Sequence, residues 1–523
     1  MEINRDLLKK ASQQFGTPTY VYDASVLKDC YFNLRDILPS CVDVFYALKV
    51  NPNLSLVKML SSYGANTEVC SLAELEISLK AGVDPQNIIF LGPCKKEYEL
   101  KRALEVGIYS LVIESETELK RVSKMAGDMG IKADIAIRIN PNFSASGSPW
   151  KMGGRPTHFG IEENHAIENF GQYLQLPHLN IRGIHVYNGT KILQAQSVFE
   201  NCEYILSLHE TIADRYDAKF SMVDVGGGLG IPYFDNETAL DTVELKSLLF
   251  PLFNAFNARH PGTRIIMESG RFIVGQPGTF LVTVDNIKEN HGKTFVVTDG
   301  GTNCHSSAIG SGQVIKRNFP IENLNKRLHA EKHEYHLSGP LCNPDDLLGR
   351  NVSIDTIYEG DVLAVLASGA YGATASPVLF HSHGYPAEVI ASAGQLFLAR
   401  PRDTTTAIVD QYAAIDVNQL LEIHIEDFQV TAEKPSEEII EEVISSLRKA
   451  LNISSDVSVS EDAHLRDDLG LDSLSSMELL TYLEDQIPGF YVNPDTIEAS
   501  HFNTVETLTE YIRSSIALLK VAS

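Results

Sequence analysis

A chain of 523 residues is too long for one hydrophobic core, so two or three domains are expected. Its 68 acidic residues outnumber 43 basic ones, and the net charge of −25 argues against a nucleic-acid groove or an anionic membrane surface. No apolar run reaches a membrane span, the start MEINRDLLKKASQQ lacks a signal-peptide core, and the seven cysteines are scattered without CxxC pairs. A cytoplasmic protein with reduced thiols and no nucleic-acid or membrane partner is therefore expected.

In chain order, short apolar, β-branched runs first alternate with helical stretches. Eight runs read as strands: VDVFYAL (42–48), NTEVCS (66–71), IIFLGP (88–93), SLVIES (110–115), IAIRIN (135–140), GIHVYNG (183–189), MVDVGGG (222–228) and RIIMESG (264–270). Amphipathic segments such as 72–81 and 97–106 lie between them. This alternation predicts an α/β fold, a (β/α)8 TIM-like barrel over residues 25–275. After 276, TFLVTVDNI, TFVVTDGG, EYHLSGP, DVLAVLAS and PAEVIAS read as strands joined by turns. Residues 276–428, with 1–24, are assigned to an all-β barrel domain. The charged stretch around Pro435 reads as a linker, 429–436.

Residues 437–523 read as a small helical bundle. Ile439, Ile440, Val443, Ile444, Leu447 and Leu451 mark one helix face; Val505, Leu508, Tyr511, Ile512 and Ile516 mark another. The segment holds 17 acidic and 5 basic residues, a surface suited to docking on basic patches. Between these helices, DLGLDSLSSMELL (468–480) puts Ser473 at a helix start behind Asp472, with Leu474, Met477, Leu480 and Leu483 at roughly helical spacing.

In the barrel the polar motifs fall at the carboxyl ends of the predicted strands, where barrel enzymes hold their sites. Lys49 follows the first strand and Glu68 is on the second. Arg138 and Asn140 end the fifth, and His185 to Thr190 end the sixth. Gly226, Gly227 and Gly228 follow the seventh; Glu268, Gly270 and Arg271 end the eighth. Such glycines let backbone N–H groups approach a phosphate, and Arg271 adds charge. GGGLG also matches a weak dinucleotide fingerprint, but the repeated strand–helix units favour a barrel over a Rossmann sheet. His381 and His383 form an HxH without further ligands, so no metal site is expected.

The ordered set FYALKVNPN (45–53), EVCSLAELEISLKAG, IRIN, GGGLGIPY, ESGRF, GPLC and SGAYG resembles the pyridoxal-phosphate decarboxylases of the ornithine and diaminopimelate decarboxylase type over about residues 1–430. The resemblance implies a barrel plus a β-domain, working as a homodimer with shared active sites. It implies that Lys49 carries the pyridoxal 5′-phosphate and that Glu268 pairs with its pyridinium nitrogen. It places Gly226, Gly227, Gly228, Thr190, Arg271 and Tyr371 at the phosphate, Glu68 beside the cofactor, and Cys342 as a proton source donated by the partner subunit.

Two departures stand out. Tyr187 takes the place of a His that commonly covers the cofactor ring two residues beyond the position of His185; an aromatic ring keeps the stacking. His185 itself reads as structural. Asn343 follows Cys342 where the family often has an acid that recognises a distal ammonium, and an amide cannot pair with an ammonium as a carboxylate does. Asp345 and Asp346 are displaced in the motif.

RINP, KMGG, HFG, HVYNGT, GPLCNPDD and SGAYGATASPVLFHSHG resemble most the subgroup that decarboxylates an amino acid bound to a carrier protein, glutamyl to 4-aminobutanoyl. The Gly/Ser-rich loop 141–160, with Trp150 and Lys151, is a candidate for gating the substrate or docking the arm. The 468–480 stretch resembles the phosphopantetheine site of acyl and peptidyl carrier proteins, with Ser473 as the attachment residue. That implies a phosphopantetheinyl transferase as partner and, with no adenylation-type domain evident, a separate loading ligase.

The combined reading is α-decarboxylation of a glutamyl- or aspartyl-type amino acid tethered through its side-chain carboxyl. A thioester through the α-carboxyl would block CO2 loss. The alternatives are a decarboxylase of a free amino acid whose carrier serves another step, a racemase, and a silent decarboxylase-like scaffold.

Overall fold

The protein is described by a computed structural model. Described are residues 4–143, 150–151, 153–234, 236–309, 317–325, 327, 331–412, 436–454, 456–487, 490–492 and 497–522. The chain divides into two compact units, Met1–Tyr412 and Ala413–Ser523.

Eight strands form the heart of the first unit: Val42–Ala47, Asn66–Val69, Ile88–Phe90, Ser110–Ile113, Ala133–Asn140, Leu179–His185, Met222–Asp224 and Arg264–Ser269. Each pairs in parallel with the next, and the eighth returns to the first, from Ile265 opposite Val42 to Ser269 opposite Tyr46. Every strand of a closed parallel barrel is covered on both faces, which is why these segments read as near-continuous apolar runs. Phe45, Ile89, Val112, Ala136, Met222 and Ile266 belong to one buried cluster, and a far larger core joins the outward strand faces to the helices.

The sixth strand begins at Leu179, four residues before the apolar run. Asn180 and Arg182 break the run but bond Asp134 on the fifth strand, at 2.5 and 2.9 Å. Local capping sets the helix ends. The helix Leu72–Ala81 starts at Ser71, whose hydroxyl accepts from Glu74 N, and stops at Gly82 in the left-handed region.

Thr19–Asp23 and eight later strands form a nine-stranded mixed sheet. Thr19–Asp23 lies antiparallel to Gly278–Asn290 and parallel to Ala387–Ser392, which ties the N-terminus to the last third of this unit. Gly278–Asn290 also pairs with Val362–Val365, which in turn pairs with Ile321–Asn323, so the sheet branches at this strand. A helix, Arg5–Phe15, precedes it, capped by Asn4 and buried through Leu8 and Ala11.

The second unit is built on the helices Ser436–Ala450, Ser473–Gln486 and Val505–Ala522. Its own core gathers Val443, Leu447, Leu465, Leu471, Leu479, Leu483, Ile487, Phe490, Val505, Leu508, Tyr511 and Ile512. The outer helices face inward as their spacing predicts. The middle helix turns Leu479 and Leu483 inward and leaves Leu480 half-buried, because i and i+4 share a face. The linker expected at 429–436 lies outside the described residues but for Ser436. Among the described residues no helix is long and apolar enough to cross a membrane.

Candidate active site

Lys49 stands in the single 3-10 turn Leu48–Val50 that ends the first barrel strand. Its Nζ donates to Glu68 Oε1 at 2.9 Å and Oε2 at 3.2 Å. The Lys49 side chain is 33% exposed, toward the cavity, while Glu68 is 0% exposed. Burial disfavours the ammonium, but Glu68, then Cys70 and Glu268, outweigh it and hold Lys49 well above the ordinary lysine range. The ring centroid of Tyr187 lies 5.2 Å from Nζ.

Glu268, on the eighth strand, meets His185 Nε2 at 3.0 Å, and both are buried. Burial, then the charge of Arg138, pushes His185 down to about 3, so its ring is neutral, and burial likewise pushes Glu268 up. Glu268 Oε2 is buried with no protein partner. Asp224 lies beside them; its Oδ1 accepts from Gly226 N at 2.8 Å and its Oδ2 has none. Ligand atoms of His185, Asp224 and Glu268 fall within 4.8 Å of one another, but only Glu268 lines the cavity above. His185 thus positions Glu268, a contact that the motif reading does not reveal.

Thr190, Gly227, Gly228, Gly270, Arg271 and Tyr371 line the same small cavity as Lys49 and Glu268. Gly228 has φ +104°, and a Cβ there would stand 2.3 Å from the Gly189 carbonyl oxygen, so the turn admits only glycine. Gly226 does not line the cavity; its missing Cβ would meet Val186 O at 2.4 Å, which makes it a packing glycine. Arg271 Nη1 donates to Tyr233 OH at 2.8 Å, its guanidinium lies 4.8 Å from the Tyr371 ring, and its Nε is buried without a partner.

Above this floor opens a cavity of about 650 Å³, walled by Leu91, Pro93, Phe159, Tyr233, Phe234 and Phe319 among others. Its charged lining residues are Lys49, Arg138, Lys191 and Arg271, and no carboxylate lines it among the described residues. Arg138 is tied to buried Glu114 at 2.8 Å and lies 4.6 Å from the Phe159 ring. The motifs give Arg138 no role and leave Lys191 unmarked, although Lys191 directly follows the NGT motif.

Residues 27–275 match the family model "Pyridoxal-dependent decarboxylase, pyridoxal binding domain", and 441–512 match "Phosphopantetheine attachment site". The L-glutamyl-[BtrI acyl-carrier protein] decarboxylase of Niallia circulans is 34% identical over 80% of this chain and 99% of its own length. The diaminopimelate decarboxylase of Aquifex aeolicus is 33% identical over 77% of this chain and 93% of its own. The chain belongs to the pyridoxal-dependent decarboxylases. Among solved structures, the Helicobacter pylori diaminopimelate decarboxylase complexed with L-lysine superposes with a TM-score of 0.70, at 27% identity, over 77% of this chain and 98% of that one.

The cofactor of this decarboxylase is pyridoxal 5′-phosphate, and the cavity floor fits it. An unmatched buried acceptor, Glu268 Oε2, and an unmatched buried donor, Arg271 Nε, belong to residues lining one small cavity. A ring bearing a protonated nitrogen and a phosphate satisfies both.

The enzyme's second unit carries the phosphopantetheine attachment domain, a substrate for a phosphopantetheinyl transferase. Ser473 is the first residue of its helix; its side chain lies outside the described ones. Asp472 caps that helix, its Oδ1 accepting from Ser475 N at 2.8 Å.

Cys342 and Asn343 are exposed in the loop after the strand Lys332–Ser338 and do not line the cavity of their own chain. Buried Asp346 shapes that loop, accepting from Thr302 N at 2.7 Å and Leu341 N at 2.8 Å. It is an internal scaffold for the loop. Trp150 and Lys151 pair with Thr190 and Gly189 as a short antiparallel ribbon, which brings these two residues of the loop onto the NGT motif; the Lys151 side chain is not described.

Proposed function

We propose that this decarboxylase removes the α-carboxyl group of a glutamyl- or aspartyl-type amino acid held by its side-chain carboxyl, as a thioester, on the phosphopantetheine arm at Ser473. The product is an ω-aminoacyl carrier, a building block for natural-product assembly. One observation carries the reading: among the described residues no carboxylate lines the large cavity. A distal ammonium, as in diaminopimelate or ornithine, would meet no carboxylate there among the described residues, whereas a neutral thioester on an apolar wall needs none. Asn343 in place of an acid agrees, as does the carrier-bound glutamyl substrate in the name of the Niallia relative.

In this reading Lys49 holds the cofactor and exchanges it for the substrate amine. The cofactor supplies the electron sink for the bond to CO2. Glu268, kept in place by His185, holds positive charge at the ring nitrogen. Tyr187 would cover the ring, Glu68 would hold the Lys49 ammonium while the substrate amine occupies the cofactor, and Arg271, Thr190, Tyr371 and the backbone of Gly227, Gly228 and Gly270 would hold the phosphate. Cys342, from the second subunit of a homodimer, would return a proton to Cα, in keeping with its exposed place outside the described lining of its own chain's cavity. A separate ligase loads the arm. All seven cysteines are free, in keeping with a reducing cytoplasm.

The test is intact-protein mass spectrometry on the phosphopantetheinylated full chain loaded with γ-glutamyl or β-aspartyl thioester. The loaded species should lose the mass of CO2. Ser473→Ala should keep the cofactor absorbance yet show no such loss. Efficient decarboxylation of free diaminopimelate or ornithine by the Ser473→Ala protein would instead establish the free-substrate reading.

A further inference from the structure

We propose that Lys191 is a second cation for the cofactor phosphate, acting with Arg271 across the ring of Tyr233. Lys191 directly follows Thr190 of the floor and lines the larger cavity together with Arg271 and Tyr233. Its Nζ lies 5.6 Å from the Tyr233 ring centroid, and the Arg271 guanidinium carbon lies 5.6 Å from the same centroid. The ring is a fixed platform. Its hydroxyl accepts from Arg271 Nη1 at 2.8 Å, and Phe319 packs on it at 4.8 Å between centroids.

Lys191 has no ion-pair partner among the described residues. Glu237, the acid that acts on it, is committed elsewhere. Its Oε2 accepts from Tyr233 N at 2.8 Å, and its Oε1 lies 4.0 Å from Arg317. Two like charges on one aromatic ring repel each other, and the arrangement is relieved by an anion of more than one charge. A phosphate monoester, near −2 at neutral pH, is such an anion. Burial, then the neighbouring Arg271, pulls Lys191 down to about 8. A bound dianion would therefore hold the Lys191 proton as pH rises through about 8.

The test uses the full chain stripped of cofactor and titrated calorimetrically with pyridoxine 5′-phosphate, which has no aldehyde and so reports binding without attachment to Lys49. Pyridoxine itself is the control. Lys191→Gln should weaken pyridoxine 5′-phosphate roughly 10-fold or more and leave pyridoxine unchanged. Lys191→Arg should restore most of the affinity. Wild-type affinity for the phosphate ester should fall as pH rises through about 8, and this fall should be lost in Lys191→Gln. Arg271 stays charged across that window, and burial holds Tyr233 above it. Unchanged affinity for pyridoxine 5′-phosphate in Lys191→Gln overturns the proposal. So does an equal loss for pyridoxine, which would make Lys191 a purely structural residue.

Discussion

The two units treat charge in opposite ways. The catalytic unit buries Glu68, Glu114, Arg138, His185, Asp224 and Glu268 around the strand ends of one barrel. In the carrier unit the buried polar residues among those described are Ser446, Thr509 and Ser515, none of them charged. Removing an ion from water costs several kcal/mol unless it is paired, so a fold retains buried charge chiefly where pairing or chemistry compensates. Decarboxylation needs a held ammonium, a held pyridinium and a held phosphate. Esterification of a carrier serine needs only a reachable helix start and an acidic surface that partners can find. The catalytic unit also buries Lys95 against Glu118 at 2.8 Å, which shows that pairing alone is sometimes the compensation.

The contrast can be broken by substitution. Lys49→Ala should lower kcat by roughly 10⁴-fold or more, read as CO2 release under saturating cofactor. An active variant would mean that the buried charge serves folding rather than catalysis. Glu268→Gln keeps the shape but removes the charge; about 10²–10³-fold of kcat should go, with cofactor still bound. In the carrier unit, packing of apolar side chains governs stability. Leu483→Ala should cost that unit about 2–5 kcal/mol and leave the melting transition of the catalytic unit in place. Coupled loss of both transitions would show that the units do not fold independently.

The smallest expected effect concerns His209, buried between Phe220 and Phe256 with neither ring nitrogen bonded. Burial, then His260, lowers it to about 4. The unfolded chain takes the proton first, so the stability due to neutral His209 is whole above about pH 6.5 and is lost as pH falls toward 4. Between about pH 7 and pH 5 the wild type should lose about 2 kcal/mol more than His209→Leu in denaturant unfolding. An equal loss in both would assign the acid sensitivity to other groups.

Much of the fold is legible in the sequence. All eight barrel strands are visible there because a parallel strand covered on both faces is mostly apolar. The Arg5–Phe15 helix escapes notice because its buried face is narrow, Leu8 and Ala11 in a charged stretch. The strand Leu347–Asp355 escapes it because Arg350 and Asn351 interrupt its apolar pattern on an exposed outer strand. In the site, Lys49, Glu68, Tyr187, Glu268, Arg271 and Tyr371 are read from motifs, and the structure gathers them around one cavity or its immediate wall. Gly226 reads with its neighbours as a phosphate contact, yet it packs under Val186, because three adjacent glycines in a turn face different directions.

The sequence by itself determined the barrel and the carrier helices, since each rests on local spacing and residue type, and its motifs singled out Lys49 and Ser473 as the proposed attachment residues. Only the tertiary structure decided that His185 holds Glu268 and that Lys191 shares the Tyr233 ring with Arg271. It also decided that the cavity above them is lined by four cations and, among the described residues, no carboxylate. Those are sums over side chains from many strand ends, and Coulomb energy depends on distance in space rather than on separation along the chain.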